Sequence, residues 1–162
     1  MARASGLFDI RDDSDFFTIV TNTLASFLST KTKRADEMLL LILGLAHLRE
    51  WIAPGYRRGA MATNAAERFA AMLFENPNYQ TVLQLDNHAK HQRREALPET
   101  QFTSFTDTFD ERDTPIDSWL DFDEGPASSY KYGQRNLEDI FKAVAALYQQ
   151  KWFALPIEER LR

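Results

Sequence analysis

Cysteine is absent from this sequence, and glycine and proline are scarce. The absence of Cys excludes a disulfide framework, a thiolate zinc site and a Cys nucleophile. Six Gly and six Pro in 162 residues exclude collagen-like and proline-rich fibres. Hydrophobic residues nevertheless make up 44% of the chain, which is enough apolar surface for a core. We therefore expect one folded domain over residues 13–162, preceded by a flexible arm at residues 1–12.

A long hydrophobic run is also missing. The most apolar segment is Met38–Ala46, which has nine residues and includes Gly44. A membrane-spanning helix needs about 20 apolar residues, and no apolar core of a signal peptide follows the first residues. We therefore expect a cytoplasmic protein that does not associate with a membrane.

The signature motifs of common enzymes are absent as well. The sequence holds no GxGxxG dinucleotide motif, no GxxxxGK[ST] phosphate loop, no GxSxG nucleophile elbow and no HExxH zinc motif. The remaining metal candidate is the pair His88 and His91 at i, i+3, to which Asp86 or Glu95 would add a carboxylate. Because such a pair is weak evidence for a metal site, we expect neither a metal nor a cofactor.

Positive charge is in deficit overall, since the formal net charge is −5. Residues 31–94 hold ten Lys or Arg against six Asp or Glu, whereas residues 107–124 hold eight acidic residues and one Arg. The acidic total argues against a non-specific nucleic-acid binder, which is usually basic. The asymmetry fits a contact surface, and it fits equally a solvated helix face beside an acidic loop.

Apolar residues recur at helical spacing along most of the chain. Asp13 or Ser14 is predicted to cap the first helix. Further helices are predicted from about Arg34 or Ala35 to Ile52 or Ala53, from a cap at Thr63 or Asn64 to residue 76, from 77 to 95, and from 135 to 153. Residues 39–43 are apolar on every side, which predicts that the second helix is the buried central one.

The segment of residues 99–126 has a different character from the helices around it. Aromatic and β-branched residues are frequent there, and Asp-Glu-Gly-Pro at 123–126 is typical of a turn. We predict a small β-hairpin or an extended insertion before the last helix. The predicted fold class is therefore mainly α, an antiparallel bundle of about five helices with this insertion.

The fourth predicted helix carries a group of polar residues at helical spacing. Asn87, Lys90, His91 and Arg94 stand at i, i+3, i+4 and i+7, so they share one side of the helix, which we call the polar strip. An amide, an imidazole and two cations suit a phosphate or another anion, and His91 could transfer a proton near neutral pH. The alternative is a solvated helix face whose cations complement the helix dipole.

His47 is the second candidate, because it lies on an otherwise apolar helix one turn after Gly44. The glycine would let another backbone or a ligand come close to the helix. The simpler interpretation is a core His hydrogen-bonded to a backbone carbonyl, with Arg49 and Glu50 reaching solvent.

The order of several short motifs resembles a known family. The second helix ends in His-Leu-Arg-Glu-Trp-Ile (47–52), and the fourth contains Asn-His-Ala-Lys-His (87–91). A Phe-, Ser- and Thr-rich segment (102–109), an Asp-Glu-Gly turn (123–125) and a final aromatic helix follow. This order, over roughly residues 35–153, resembles a group of uncharacterised bacterial proteins that are similar to the HEPN superfamily.

The resemblance implies a helical bundle that binds RNA and forms a homodimer, or a hetero-oligomer with a partner protein. Many HEPN proteins are metal-independent ribonucleases or RNA-binding modules of bacterial antiviral defence and toxin–antitoxin systems. On this resemblance His91 is the catalytic residue and Asn87 and Lys90 bind substrate, with Arg94 or Arg49 as a further cation. His47 is also a candidate for substrate binding.

One part of the family's pattern is missing from this chain. HEPN active sites place four to six residues between an Arg and the catalytic His, but the corresponding positions hold Gln84, Leu85 and Asp86. Whether the protein is an enzyme therefore stays open. Two alternatives remain: a non-catalytic helical interaction or oligomerisation subunit that binds a partner protein, and a structural homo-oligomer whose polar strip is only solvated.

Overall fold

A computed structural model describes residues 10–31, 33–90, 120–122, 130–132 and 135–162 of the chain. The described residues form a mainly α-helical bundle, as predicted. Its helices are α1 (Asp13–Ser29), α2 (Ala35–Ile52), α3 (Ala65–Glu75), α4 (Pro77–Lys90), α5 (Leu137–Tyr148) and α6 (Ile157–Arg160). A π-helical turn, Gln149–Phe153, extends α5.

Side-chain caps fix where the helices begin. The Asp12 carboxylate accepts a hydrogen bond from the Asp15 amide, so the cap of α1 lies one residue before the predicted Asp13. Asn64 caps α3 by accepting from the Glu67 amide, as predicted. The Glu67 carboxylate, however, accepts from the Thr63 amide and hydroxyl, one residue before the position of an ordinary capping box.

Helix α2 is the hub of the bundle, because it contacts α1, α3, α4 and α5. Two buried tyrosines from different helices form hydrogen bonds with the backbone of α2. The Tyr79 hydroxyl of α4 donates to the Ala46 carbonyl, and the Tyr148 hydroxyl of α5 donates to the Leu45 carbonyl, each at 2.8 Å. Burial raises the pKa of Tyr79 and raises that of Tyr148 well above its usual range, so both hydroxyls remain donors.

Gly44 explains how α1 approaches α2. A Cβ at this position would lie 2.8 Å from Cγ2 of Val20, which is closer than two carbon atoms can pack. A close approach at Gly44 is therefore observed, but the group that approaches is the Val20 side chain of α1 and not a backbone or a ligand.

The prediction that α2 is buried on every side is wrong along one face. Leu40 is 59% exposed, and Leu39 and Trp51 are exposed by nearly half. Leu40, His47 and Trp51 are separated by seven and four residues, so they lie on one side of the helix. We call these residues, with Leu39, the open face of α2. This face is covered only in part: the Trp51 ring packs edge-on against Phe16 of α1 at 5.2 Å, and His47 contacts Asp86 of α4.

The insertion before α5 contains the predicted hairpin, at a later position than expected. Strand β1 (Leu120–Phe122) pairs antiparallel with β2 (Tyr130–Tyr132), and β2 pairs antiparallel with β3 (Arg135–Asn136). The expected region 99–119 lies outside the described residues. The last long helix begins at Leu137 rather than residue 135, because the Asn136 side chain caps it through the Glu138 amide.

Within the described ranges, no helix combines the length and the apolar character needed to cross a bilayer.

Candidate functional site

The seam between α2 and α4 brings ionisable residues of two helices together. The Nε2 atom of His47 lies 3.2 Å from Oδ1 of Asp86, and Nζ of Lys90 lies 2.8 Å from Oδ2 of the same carboxylate. One carboxylate thus joins a His of α2 to a Lys of α4, although the two are more than 40 residues apart. We call His47, Asp86 and Lys90 the seam cluster.

The seam cluster has a buried centre and an exposed rim. The Asp86 side chain is only 4% exposed, whereas those of His47 and Lys90 are 31% and 39% exposed. A buried carboxylate is costly unless each oxygen has a partner, and here the two oxygens have one cationic or imidazole partner each. Asp86 therefore fixes the positions of two groups that reach the surface.

A second carboxylate faces the other side of the imidazole. The Nδ1 atom of His47 lies 3.4 Å from Oε2 of Glu50, one helical turn further along α2. Both ring nitrogens of His47 therefore have an acidic oxygen as a neighbour. The predicted hydrogen bond from His47 to a backbone carbonyl is therefore wrong, because two carboxylates occupy its ring nitrogens instead.

Only part of the polar strip lies within the described residues. Asn87 and Lys90 are exposed on α4, as the helical spacing predicted. Asp86 and Leu85 are buried, whereas the apolar Leu83 and Ala89 are only half-buried. His91, Arg94 and the expected continuation of the helix to residue 95 lie outside the described residues.

Arg49 does not contact the seam cluster directly: Glu50 lies between them, with Oε1 3.3 Å from Nη2 of Arg49 and Oε2 3.4 Å from Nδ1 of His47. The expectation that Arg49 reaches solvent is wrong. It is 8% exposed, its Nη1 donates to the Tyr56 carbonyl at 3.2 Å, and its guanidinium lies 4.6 Å from the centre of the Phe74 ring. Arg49 follows His47 by two positions, so the two point to nearly opposite sides of α2. In this structure its contacts fasten α2 to the following loop and to α3.

His88 contributes no positive charge to the polar strip at neutral pH. It is half-buried, and burial lowers its pKa below the ordinary value, so the neutral imidazole is favoured. Within the part of the chain that the structure describes, no group of three or more His, Asp or Glu side chains is arranged to hold a metal ion.

Sequence reasoning missed the central role of Asp86, which it considered only as a metal ligand. Two signals pointed to it. Asp86 precedes Lys90 by four residues, the spacing of an ion pair on a helix, and it follows the buried Val82 by four residues, on the same side of α4. Glu50 carried a similar signal, because it follows His47 by three residues, which is also the spacing of an ion pair on a helix.

Comparison with known proteins finds no match for this chain among family models, curated proteins or solved structures.

Proposed function

We propose that the protein is an RNA-binding module of the HEPN type that contacts RNA along the α2–α4 seam. The observation that carries this proposal is the joining of His47 to Lys90 through the buried Asp86 carboxylate. Two polar groups of different helices are thereby held beside the exposed amide of Asn87. Asp86 acts through them as a positioning residue.

The chemistry of the seam suits a few direct contacts better than a broad electrostatic field. Lys90 has three N–H donors, of which one faces Asp86, and Asn87 has two. These donors match phosphate and 2′-hydroxyl oxygens. The carboxylates of Asp86 and Glu50 offset the nearby positive charge, so we expect modest affinity and a shallow dependence on salt.

The resemblance supplies the catalytic part of the proposal. If the module cleaves RNA, His91 is the acid–base, Arg94 and Lys90 stabilise the charged phosphate, and no metal takes part. Cleavage would then persist in a metal chelator and would be lost in a His91→Ala variant that keeps its melting temperature. Full cleavage by that variant would refute the catalytic role of His91 and leave the binding proposal standing.

The binding proposal is tested by fluorescence anisotropy with a labelled single-stranded RNA over a series of KCl concentrations. Each contacted phosphate contributes a slope of about −0.7 to a plot of log affinity against log salt. Lys90→Gln should therefore weaken binding and make the slope shallower by about 0.7. The matched control is Lys142→Gln, since Lys142 is also exposed and paired within its helix, with Asp139 at 3.1 Å.

Two results would overturn the binding proposal. One is RNA affinity too weak to measure at the lowest salt concentration. The other is an equal loss in the Lys90→Gln and Lys142→Gln variants, which would reflect total charge and no particular site.

A second candidate function is favoured by the open face of α2. Leu39, Leu40 and Trp51 are large apolar side chains exposed by roughly half, and exposed apolar patches mark protein-interaction sites. On this alternative the protein is a non-catalytic helical subunit that binds a second copy or a partner protein. Light scattering of the wild type and of Leu40→Glu tests self-association, and a stable protein complex without salt-sensitive RNA affinity would favour this alternative.

A further inference from the structure

A groove lies on a different part of the molecule from the α2–α4 seam. It has a volume of about 450 Å³ and runs between α3 on one side and the π-helical turn and α6 on the other. None of its lining residues belongs to the seam cluster or to the polar strip. They are Ala65, Arg68, Phe69, Met72, Lys151, Leu155, Glu159 and Arg162.

The floor of the groove is apolar. Ala65, Phe69 and Met72 recur at i, i+4 and i+7, so one side of α3 supplies most of it, and Leu155 closes the opposite side. Phe69 is buried beneath the surface, whereas Met72 and Leu155 are half-exposed toward the groove. Because Met is unbranched and flexible, Met72 can adapt to ligands of different shape.

The rim of the groove is positive in a protein whose net charge is −5. Arg68, Lys151 and Arg162 are exposed around it, and Glu159 is the one acidic side chain among the lining residues. In the described part of the chain, these three cations have no ion-pair partner. By contrast, Arg58 and Lys142 elsewhere on the surface are paired with Glu75 and Asp139. Among the described residues, cations without an ion-pair partner therefore lie on both sides of the apolar floor, with Arg68 on the α3 side and Lys151 and Arg162 on the other.

The backbone is irregular at the groove wall that carries Lys151. The Ala154 amide donates to the Gln149 carbonyl at 2.8 Å, five residues earlier, which is the hydrogen bond of a π-helix. Two successive aromatic residues of this turn contact α1: Trp152 donates to Asp13 at 2.7 Å, and Phe153 stacks on Phe17 at 4.3 Å. Such turns are frequent at functional sites, and this one holds Lys151 at the rim.

From these observations we propose that the groove binds a small amphiphilic anion, a ligand with a carboxylate or phosphate head and an apolar body. The volume lies in the range of small-molecule sites, and the groove is largely open to solvent. The arginines at the rim offer forked N–H donors to the planar or tetrahedral oxygens of the head group. The apolar body covers Phe69, Met72 and Leu155 and removes them from water.

Methyl NMR of the protein labelled with ¹³C at the methionine methyl groups tests this proposal. Met72 lines the groove, whereas Met38 is buried in the core and Met61 is exposed elsewhere, so the two serve as internal controls. The Met72 signal is assigned with Met72→Leu. The probes share an eight-carbon body and differ in the head group: octanoate, octyl phosphate, octanol and octylammonium.

We expect octanoate, octyl phosphate or both to shift the Met72 signal saturably and to leave Met38 and Met61 unchanged. The tighter of the two identifies the head group. Octanol and octylammonium should bind about tenfold more weakly, which is the loss of one charge-assisted hydrogen bond. Arg68→Gln with Lys151→Gln should weaken anion binding by at least about tenfold for the same reason, whereas the control Arg58→Gln with Lys142→Gln should not.

Three results would overturn the proposal. Equal binding of octanol and octanoate would mean that the rim cations recognise no head group. The absence of any saturable shift of the Met72 signal would mean that the groove binds none of the probes and that the aliphatic stems of the rim cations only cover its apolar floor. A stronger Met72 response to single-stranded RNA than to either anion would assign the groove to nucleic acid. Lys90→Gln should leave octanoate binding unchanged, so this test and the RNA test can fail independently.

Discussion

Lys33 is a buried cation that should be among the most sensitive positions of the fold. Its Nζ atom donates to the Phe27 carbonyl at 2.6 Å and the Thr30 carbonyl at 2.8 Å, at the carboxyl end of α1. The same ammonium lies 2.7 Å from Oε1 of Glu138 in the first turn of α5. The side chain thus satisfies carbonyls that the end of α1 leaves free, and it ties α1 to α5.

Lys33→Met should remove these contacts while filling most of the same volume. Removing one partner of a buried ion pair costs about 3–5 kcal/mol, and the lower end applies because the Glu138 side chain is 23% exposed and remains hydrated. We therefore expect the free energy of unfolding to fall by about 3 kcal/mol. Glu138→Gln should cost only about 1 kcal/mol, because Lys33 keeps its two carbonyl acceptors.

Urea unfolding followed by circular dichroism measures these losses, and the Lys33→Met, Glu138→Gln double mutant isolates the ion pair. We expect a coupling energy of about 1 kcal/mol between the two positions. Lys142→Met is the control, since its exposed pair with Asp139 is worth about 0.5 kcal/mol or less. A loss in Lys33→Met no larger than in Lys142→Met would refute the reasoning, because the buried ammonium would then contribute no more than a surface charge.

Three further predictions concern other elements of the bundle. Gly44→Ala should lower the free energy of unfolding by about 1–2 kcal/mol, since the clash with Val20 outweighs the better helix propensity of Ala. Adding Val20→Ala to this variant should restore part of the loss. Equal thermal midpoints for Gly44→Ala and the wild type would contradict the close approach. Hydrogen bonds from Thr63 lower the pKa of Glu67, so Glu67 stabilises the fold above its ordinary pKa and loses this effect as the pH falls through its lowered value. Glu67→Gln should therefore differ from the wild type in urea midpoint at pH 7 and converge with it in acid, and a constant difference would contradict this. Burial lowers the pKa of His88 below the ordinary value of 6.5. As the pH falls below 6.5, the unfolded chain therefore takes up a proton more readily than the folded chain, and the free energy of unfolding decreases. His88→Gln should therefore lose less stability than the wild type on acidification from pH 7 to 5, and parallel losses would refute this.

The positions of the helices could be predicted because their signals are local. Asn76-Pro77 supplied both a cap and a first helical residue, and the Asn76 side chain does accept from the amides of Asn78 and Tyr79. Apolar spacing in α1 correctly predicted that Phe17, Val20, Leu24 and Phe27 are buried. A shift of one residue at a cap was not predictable, since Asp12, Asp13 and Ser14 are all suitable caps.

The orientation of α2 could not be predicted, because its apolar residues surround the helix. The spacing alone places His47 and Arg49 on nearly opposite sides, but it gives no indication of which side faces solvent. That choice depends on distant partners: the Phe74 ring and the Tyr56 carbonyl hold the guanidinium inside. The charged Arg49 is consequently buried, and the apolar Leu40 of the same helix is exposed.

The same reasoning bears on why the α2–α4 seam holds ionisable groups at all. Replacing a buried ion pair with well-packed apolar residues of similar volume is often neutral or stabilising, so such a pair is weak evidence for a stability role. The Tyr79 and Tyr148 hydroxyls already join α4 and α5 to α2 by hydrogen bonds. What the Asp86 carboxylate does provide is a fixed position for two groups that reach solvent, the His47 ring and the Lys90 ammonium. The hypothesis that follows is that the cluster meets a requirement at the surface rather than in the core, and the RNA titration of Lys90→Gln against Lys142→Gln tests it.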